Sequence, residues 1–191
     1  MLSVIEQTFD KVNSLLKPLV KGEYELCVFS SCDFSNTDLS GNKFIECKFV
    51  ECNLSNAKIN DVILRDVSFN NCKLVGLMFN TCSSFGFSAS FNGCMLNHSS
   101  FYQKKMKGAS FKNSRLHEVD FTACDLSSAV FENCDFLNAT FEHTILEKTD
   151  FRSSFNYSIN PDLNKLKKAK FSLSGIEGLL HHINIEIDRH S

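Results

Sequence analysis

A large apolar residue returns at every fifth position in the stretch CVFSSCDFSNTDLSGNKFIECKFVECNLSNAKI, which runs from Cys27 to Ile59. The recurring residues are Phe29, Phe34, Leu39, Phe44, Phe49, Leu54 and Ile59. A period of five fits neither the 3.6-residue period of an α-helix nor the two-residue period of a β-strand. The chain must therefore turn by the same angle after every five residues, which restricts its fold to a coil with repeated sides.

We call the recurring large residue the centre of each five-residue unit. Centres run from Tyr24 to Phe79, lapse, and resume from Phe91 to Phe151. They account for most of the 19 phenylalanines in a chain that has no tryptophan. A second slot, two residues before each centre, holds small residues and includes all nine cysteines. Each unit therefore predicts two inward side chains, one small and one large, and three outward polar ones.

Four such units, each turning the chain by about 90°, close a square coil, and stacked coils pair as parallel ladders about 4.8 Å apart. The resulting 20-residue period predicts two columns of rings along the core. They are Phe91, Phe111, Phe131 and Phe151, and Phe101, Phe121 and Phe141. No single unit could bury its centre alone, as in other solenoids. The fold class predicted from the residues is an all-β solenoid of about six coils with short helical caps.

Several units match a known motif. The segments TDLSG, CDFSN, CDLSS and CDFLN resemble the repeat of the pentapeptide-repeat family, which is close to Ala-(Asp/Asn)-Leu-x-x. The resemblance covers about residues 24–155. It implies the right-handed quadrilateral β-helix of that family.

The repeat also predicts how the chain is organised. We expect an N-terminal cap at 1–22, a first run of coils at 23–79, and a bulge or short break at 80–90. A second run follows at 91–171, with a terminal loop near 156–165, and a C-terminal helical cap at 172–191. At the break, Phe79 and Phe91 stand twelve residues apart, two more than the repeat requires. We expect a bulge that folds Phe85 and Phe87 inward; the alternative is a recognition loop.

Both caps are predicted from helical spacing. At the N-terminus, Ile5, Phe9, Val12, Leu16 and Leu19 follow it. At the C-terminus, Ser174 and Glu177 form a capping-box pattern, and Ile183, Ile185 and Ile187 then alternate as in a strand. The predicted capping or dimer residues of this end are Ile176, Leu179, Leu180, Ile183, Ile185 and Ile187. Whether they only cover the open end or also form a homodimer stays open.

No pattern in the chain predicts catalysis. The spacing of Cys27 and Cys32, and of Cys47 and Cys52, is the repeat period itself, so the cysteines are interpreted as small buried thiols in a reducing compartment. Phosphate-binding glycine motifs, H-E-x-x-H and G-x-S-x-G do not occur. We therefore expect no catalytic residue, cofactor or metal ion. No apolar run approaches the length of a membrane span, and the N-terminus carries acids where a signal peptide has bases. A cytoplasmic location is expected.

Charge marks one part of the surface. Residues 117–151 contain eight acidic residues against Lys148 alone. We call them the acidic belt: Glu118, Asp120, Asp125, Glu132, Asp135, Glu142, Glu147 and Asp150. Basic residues precede it, among them Lys104 and Lys105, and others follow it. The plain explanation is that acids suit the outward slots; the alternative is that the belt binds a partner.

Within the family, the chain resembles the Qnr-type quinolone-resistance proteins in length, in its two runs of coils, and in its C-terminal cap. That resemblance implies a dimeric rod that binds DNA gyrase or topoisomerase IV in place of DNA. The chain departs from them because it has no room for long projecting loops, and because its acids form a belt on all faces. The function predicted first is a non-enzymatic protein-interaction rod or scaffold. Topoisomerase binding by DNA mimicry is the alternative, and neither involves direct nucleic-acid binding or a membrane.

Overall fold

A computed structural model describes residues 2–183 and 185–188. The chain forms a parallel β-solenoid of about seven turns, which confirms the predicted fold class. One side of the solenoid is a four-stranded sheet of β1 (Leu2–Ile5), β3 (Gly22–Glu25), β5 (Lys43–Ile45) and β7 (Ile63–Arg65). The adjacent side is a seven-stranded sheet of β2 (Thr8–Asp10), β4 (Val28–Ser30), β6 (Lys48–Val50), β8 (Val67–Asn70), β9 (Ala89–Asn92), β10 (Ser110–Lys112) and β11 (Val130–Glu132). The remaining sides are held by single parallel bridges, such as Asp33 to Asn53.

The core is a set of stacked rings. One column runs through Phe9, Phe29, Phe49, Phe69, Phe91, Phe111, Phe131, Phe151 and Phe171, with successive ring centroids 4.7–5.4 Å apart. A second column contains Phe79, Phe101, Phe121 and Phe141. Both predicted columns are confirmed. Rings of neighbouring columns meet edge to face, as aromatic pairs prefer.

The square shape arises at the corners. Two residues after most centres the backbone is left-handed, for example at Leu26 (φ 54°), Ala123 (φ 57°) and Gly108 (φ 73°). An Asp or Asn just before the centre then accepts the amide N–H two residues later, as Asp125 does from Ser127 at 3.0 Å. This short side-chain turn explains why the motif prefers Asp or Asn at that slot.

The small slot has a second role besides saving space. Several of its side chains donate a hydrogen bond to a main-chain carbonyl of the preceding turn, as Cys134 Sγ does to Phe111 at 3.5 Å. Thr144 and Ser154 make the same bond, to Phe121 at 2.9 Å and Phe131 at 3.0 Å. Cysteine, serine and threonine can therefore each act as this donor.

The helical N-terminal cap predicted at 1–22 is wrong for residues 2–22; residue 1 lies outside the described residues. β1 and β2 already form the first turn, in register with β3 and β4. Phe9 and Leu19 satisfy both the helical spacing and the five-residue repeat, and the ladder offered by the next turn selects the strand. Leu16, placed on the buried face of the predicted helix, is 85% exposed.

Near the predicted break, the ladder offset changes from 20 to 22 residues. Ile63 pairs with Lys43, whereas Phe69 pairs with Phe91. A short 3₁₀ helix at Phe79–Thr81 precedes the two extra residues, which lie between Ser83 and Ser88. The prediction that both phenylalanines fold inward is wrong for Phe85, which is 79% exposed. Phe87 does pack on the core, edge to face with Phe79.

At the C-terminal end, the ladder is interrupted after Phe155 and resumes at Lys165. The cap consists of 3₁₀ helices at Leu173–Leu179 and His181–Ile183. The predicted capping box is wrong, because Ser172 and not Ser174 accepts the amide N–H of Gly175. No strand forms over the described residues 185–188, so the predicted alternation is also wrong there. The parts of this cap at 184 and 189–191 lie outside the described residues.

Candidate interaction surfaces

The two extra residues of the break form a small projection on the wall, which we call the bulge (residues 83–87). Gly86 adopts φ +66° at its tip, a conformation that favours glycine. Phe85 beside it points into solvent. Arg65 lies against the bulge, since its Cδ is 3.8 Å from where a Cβ on Gly86 would stand.

The bulge is held from inside by a buried lysine. Lys104 is only 2% exposed, and its Nζ donates to the Cys82 carbonyl and to Ser84 Oγ, the latter at 3.2 Å. The same amine lies 5.4 Å from the centroid of the Phe87 ring, within cation–π range. Burial lowers the pKa of this amine from its ordinary value. Lys104 therefore fills the space that the lapsed centre leaves and fixes both ends of the bulge.

The position of Lys104 was visible in the sequence. It stands two residues before the centre Met106, in the slot otherwise filled by small side chains. Its grouping with the basic residues of the surface is wrong, because the side chain is buried. A long side chain in a small slot, just beyond a break in the repeat, was the signal that it fills a gap.

Most of the thiols are poor nucleophiles, although the hydrogen bond with Cys72 lowers the pKa of Cys94. All nine cysteines are buried and unpaired. Burial raises the pKa of Cys32, Cys47 and Cys134 to about 11, and that of Cys82 and Cys124 to about 12. Because only the thiolate attacks or binds metals, these side chains are inert near neutral pH.

The acidic belt encircles the rod. Asp120, Asp125, Asp135 and Asp150 belong to four different ladders, one on each side of the square. Each of the four also accepts the amide N–H two residues later, so it has a structural role at its corner. This supports the plain explanation of why the outward slots are acidic.

Most of the carboxylates in the belt have a partner close by. Glu132 pairs with Lys112 at 2.9 Å and Glu118 with His98 at 3.1 Å. Asp135 accepts from Asn156 at 2.8 Å and lies 2.7 Å from a ring nitrogen of His117. Arg152 clamps Asp150, and this pairing lowers the pKa of Asp150 to about 2. Among the described residues, only Glu142 and Glu147 of the belt have no side-chain partner.

The cap residues divide into two groups. Leu179 packs on the core beneath the cap, and Leu180 is half-buried. Ile176, Ile183, Ile185 and Ile187 are exposed, as is Leu173 at 88%. The described part of the cap thus covers the last turn and leaves an apolar outer surface.

The first turn leaves an apolar surface at the opposite end of the rod, which the sequence analysis missed. Its exposed apolar residues are Leu2, Ile5, Leu15, Leu16 and Val20. A groove of about 290 Å³ beside them is lined mainly by Leu2, Val4, Phe9, Val12 and Leu19.

Two further observations concern the chemistry these surfaces offer. Among the described residues, no three His, Cys, Asp or Glu side chains are grouped so that they could hold a metal ion. The helices of the described part of the chain are all too short or too polar to cross a bilayer.

Models of the pentapeptide repeats match residues 25–61, 47–83 and 87–151. No curated protein sequence matches the chain. Among solved structures, the full-length plasmid-mediated fluoroquinolone resistance protein QnrB1 is 18% identical, with a TM-score of 0.42, over 96% of this chain and 100% of that one. HetL, involved in heterocyst differentiation in the cyanobacterium Nostoc, is 14% identical, with a TM-score of 0.49, over 92% and 90%. A thylakoid-lumen protein of Arabidopsis thaliana is 17% identical, with a TM-score of 0.37, over 80% and 89%.

Proposed function

Because the chain belongs to the pentapeptide-repeat family, whose members are generally structural or interaction proteins, we propose that it is a protein-binding rod without catalytic activity. The observation that carries this proposal is the bulge. An exposed phenylalanine, held in place from inside by a buried lysine, has the form of a binding anchor: a large apolar side chain on a rigid support.

The surroundings of Phe85 suggest the chemistry of the partner. A shallow groove of about 410 Å³ next to the bulge is lined by Phe87, Ser88, Lys105, Lys107 and Gly108, among others. Arg65 lies beside Gly86. Asp66 also lines the groove, but it already accepts a hydrogen bond from Ser88 at 2.9 Å. We therefore expect a partner protein with an apolar pocket for Phe85 and acidic side chains around it.

The test is cross-linking from the bulge. A photo-reactive phenylalanine analogue at position 85 should capture one protein from extracts of the source cells, and purified partner should then bind the wild type but not Phe85→Ser. Tyr102→Ser, which removes another exposed aromatic ring, is the matched control and should bind normally. Equal binding by wild type and Phe85→Ser would reject the bulge as the anchor.

A second candidate, binding of DNA gyrase or topoisomerase IV in place of DNA, is favoured by the acidic belt. Its two unpartnered acids, Glu142 and Glu147, are the ones free to contact a DNA-binding groove. We expect the protein to alter gyrase supercoiling, or to protect gyrase from a fluoroquinolone, and Glu142→Lys with Glu147→Lys to abolish the effect. Glu46→Lys, an exposed acid outside the belt, is the control. No effect of the wild-type protein at tens of micromolar would exclude this candidate.

Two further parts of the proposal concern location and assembly. The buried, unpaired thiols support a reducing compartment, for which we propose the cytoplasm. The exposed isoleucines of the C-terminal cap support that end as one candidate homodimer contact, and a variant at this end is included in the experiment below.

A further inference from the structure

The first turn exposes hydrogen-bonding groups as well as apolar side chains. The main-chain N–H of Val28 donates to the carbonyl of Gln7, and the carbonyl of Ser30 accepts the main-chain N–H of Lys11, both at 2.9 Å. Val28 and Ser30 therefore direct their main-chain groups toward the first turn. Thr8 and Asp10 occupy the equivalent places in β2, one turn earlier. Their N–H and C=O groups therefore point away from the second turn.

The same holds for β1 on the adjacent side. The main-chain carbonyl of Glu25 accepts the main-chain N–H of Glu6 at 3.0 Å, so Glu25 directs this carbonyl toward the first turn. Ile5 and Ser3 of β1 are the residues equivalent to Glu25 and Glu23. β1 and β2 are the end strands of their sheets. Two adjacent sides of the square thus end in free strand edges, which are templates for pairing with another chain.

The geometry of the corner selects the occupant. A single extended peptide could pair with one edge, but the two edges meet at a right-angled corner, and another square turn matches both at once. Val4 and Phe9, the inward residues of the two sides, lie at equal distances in sequence from the corner at Glu6 and Gln7. A two-fold axis through this corner places β1 of one copy antiparallel to β2 of the other.

That arrangement has a definite register, because the residues that direct their main-chain groups outward pair with one another. Thr8 faces Ile5 of the second copy, and Asp10 faces Ser3, as hydrogen-bonded antiparallel pairs. Phe9 lies between them, against Val4 of the second copy, so the apolar core continues across the junction.

The rest of the end surface is compatible with the same axis. Pro18 has no N–H, so it leaves no unpaired donor on its side of the square. At this end Glu6 and Asp10 offset Lys11 and Lys17, and the Lys21 side chain lies against Gly41 in the following turn, so two copies would not repel each other. We propose that two copies of this chain associate through their first turns about this two-fold axis, forming one continuous β-solenoid of double length.

Sedimentation of the full chain gives the first test. The wild type should sediment as a dimer at tens of micromolar. Val20→Lys, which adds a charge at a side chain that lines the end groove and is 62% exposed in the single chain, should sediment as a monomer with unchanged circular dichroism. The matched control is Leu173→Lys at the capped end, where the side chain is 88% exposed, and it should remain a dimer. A monomeric wild type, or a dimer lost only in Leu173→Lys, would overturn the proposal.

Cross-linking tests the register, because the native cysteines are all buried. Hydrogen-bonded antiparallel pairs lie about 5.5 Å apart at Cα, within the range that a disulfide can bridge. Ile5→Cys and Thr8→Cys proteins should form a disulfide when mixed and mildly oxidised. A sample of either variant alone should form no disulfide dimer, because the axis places position 5 of one copy opposite position 8 of the second copy and not opposite position 5. Equal linking in the single-variant samples would refute this register.

Discussion

Raising the pH from about 7.5 to about 9.5 should destabilise the protein strongly, because five of its buried thiols titrate in the unfolded chain before they titrate in the folded one. Burial raises the pKa of five thiols to about 11 or 12: Cys32, Cys47, Cys82, Cys124 and Cys134. An exposed cysteine has a pKa of about 8.5. Below that value the stabilisation is fully present, and it is lost as the pH rises toward the folded-state pKa.

The size of the effect follows from linkage. At a pH of about 9.5, one unit above the unfolded pKa, each thiol costs about 1.3 kcal/mol of unfolding free energy relative to a pH of about 7.5. Five thiols together give about 7 kcal/mol, which is comparable with the whole stability of a typical domain.

The measurement is urea unfolding followed by circular dichroism at both pH values, with a phosphine reductant present. The double variant Cys124→Thr, Cys134→Ser provides the comparison. Thr144 and Ser154 occupy the same slots one turn later and make the same hydrogen bonds, so both replacements fit. We expect the variant to lose about 2.6 kcal/mol less than the wild type over this pH range. An equal pH-dependent loss in both proteins would refute the reasoning.

Three other predictions test the interior and the corners. Lys104→Met should make the alkaline loss of stability steeper. The pKa of the Lys104 amine is lowered in the folded protein, so the unfolded chain holds this proton to higher pH and the wild type gains stability from this group as the pH rises. Urea unfolding at a series of pH values measures the difference. Gly108→Ala should cost about 1 kcal/mol in urea unfolding, because its φ of +73° is left-handed while its Cβ would meet nothing within 4 Å; Gly108→Asn should cost less. Asp125→Ala should lower the unfolding free energy by about 1 kcal/mol, because it removes a corner hydrogen bond. Thermal unfolding measures this loss, and Glu147→Ala should unfold like the wild type.

The five-residue repeat predicted the fold because each side of a solenoid turn has a fixed number of residues, so the spacing of the centres gives the geometry of the turn. The ring columns were predicted in the same way, since Phe111 and Phe131 are 20 residues apart, which is one full turn, and their rings stack. The N-terminus was misread because Phe9 and Leu19 fit two periods at once. Only the neighbouring turn, which the local sequence does not reveal, decides between them.

The candidate sites were less accessible from sequence. The sequence shows the acidic belt as a set of outward charges, whereas in the structure Asp125 stabilises a corner and Asp150 is clamped by Arg152. Such pairings depend on side-chain reach across turns, which composition does not give. Phe85 points outward between Ser84 and Phe87, and Lys104 contacts both of these neighbours from one turn away.

The constant register of the ladders also has a kinetic consequence. Most tertiary contacts join residues 20 or 22 positions apart, so the relative contact order is on the order of 0.1, a value typical of small helical bundles. Other all-β proteins fold slowly because distant strands must find each other before any contact is rewarded. Here each turn needs only the one before it, and once two adjacent turns have paired, the rest of the chain can wind onto them in either direction.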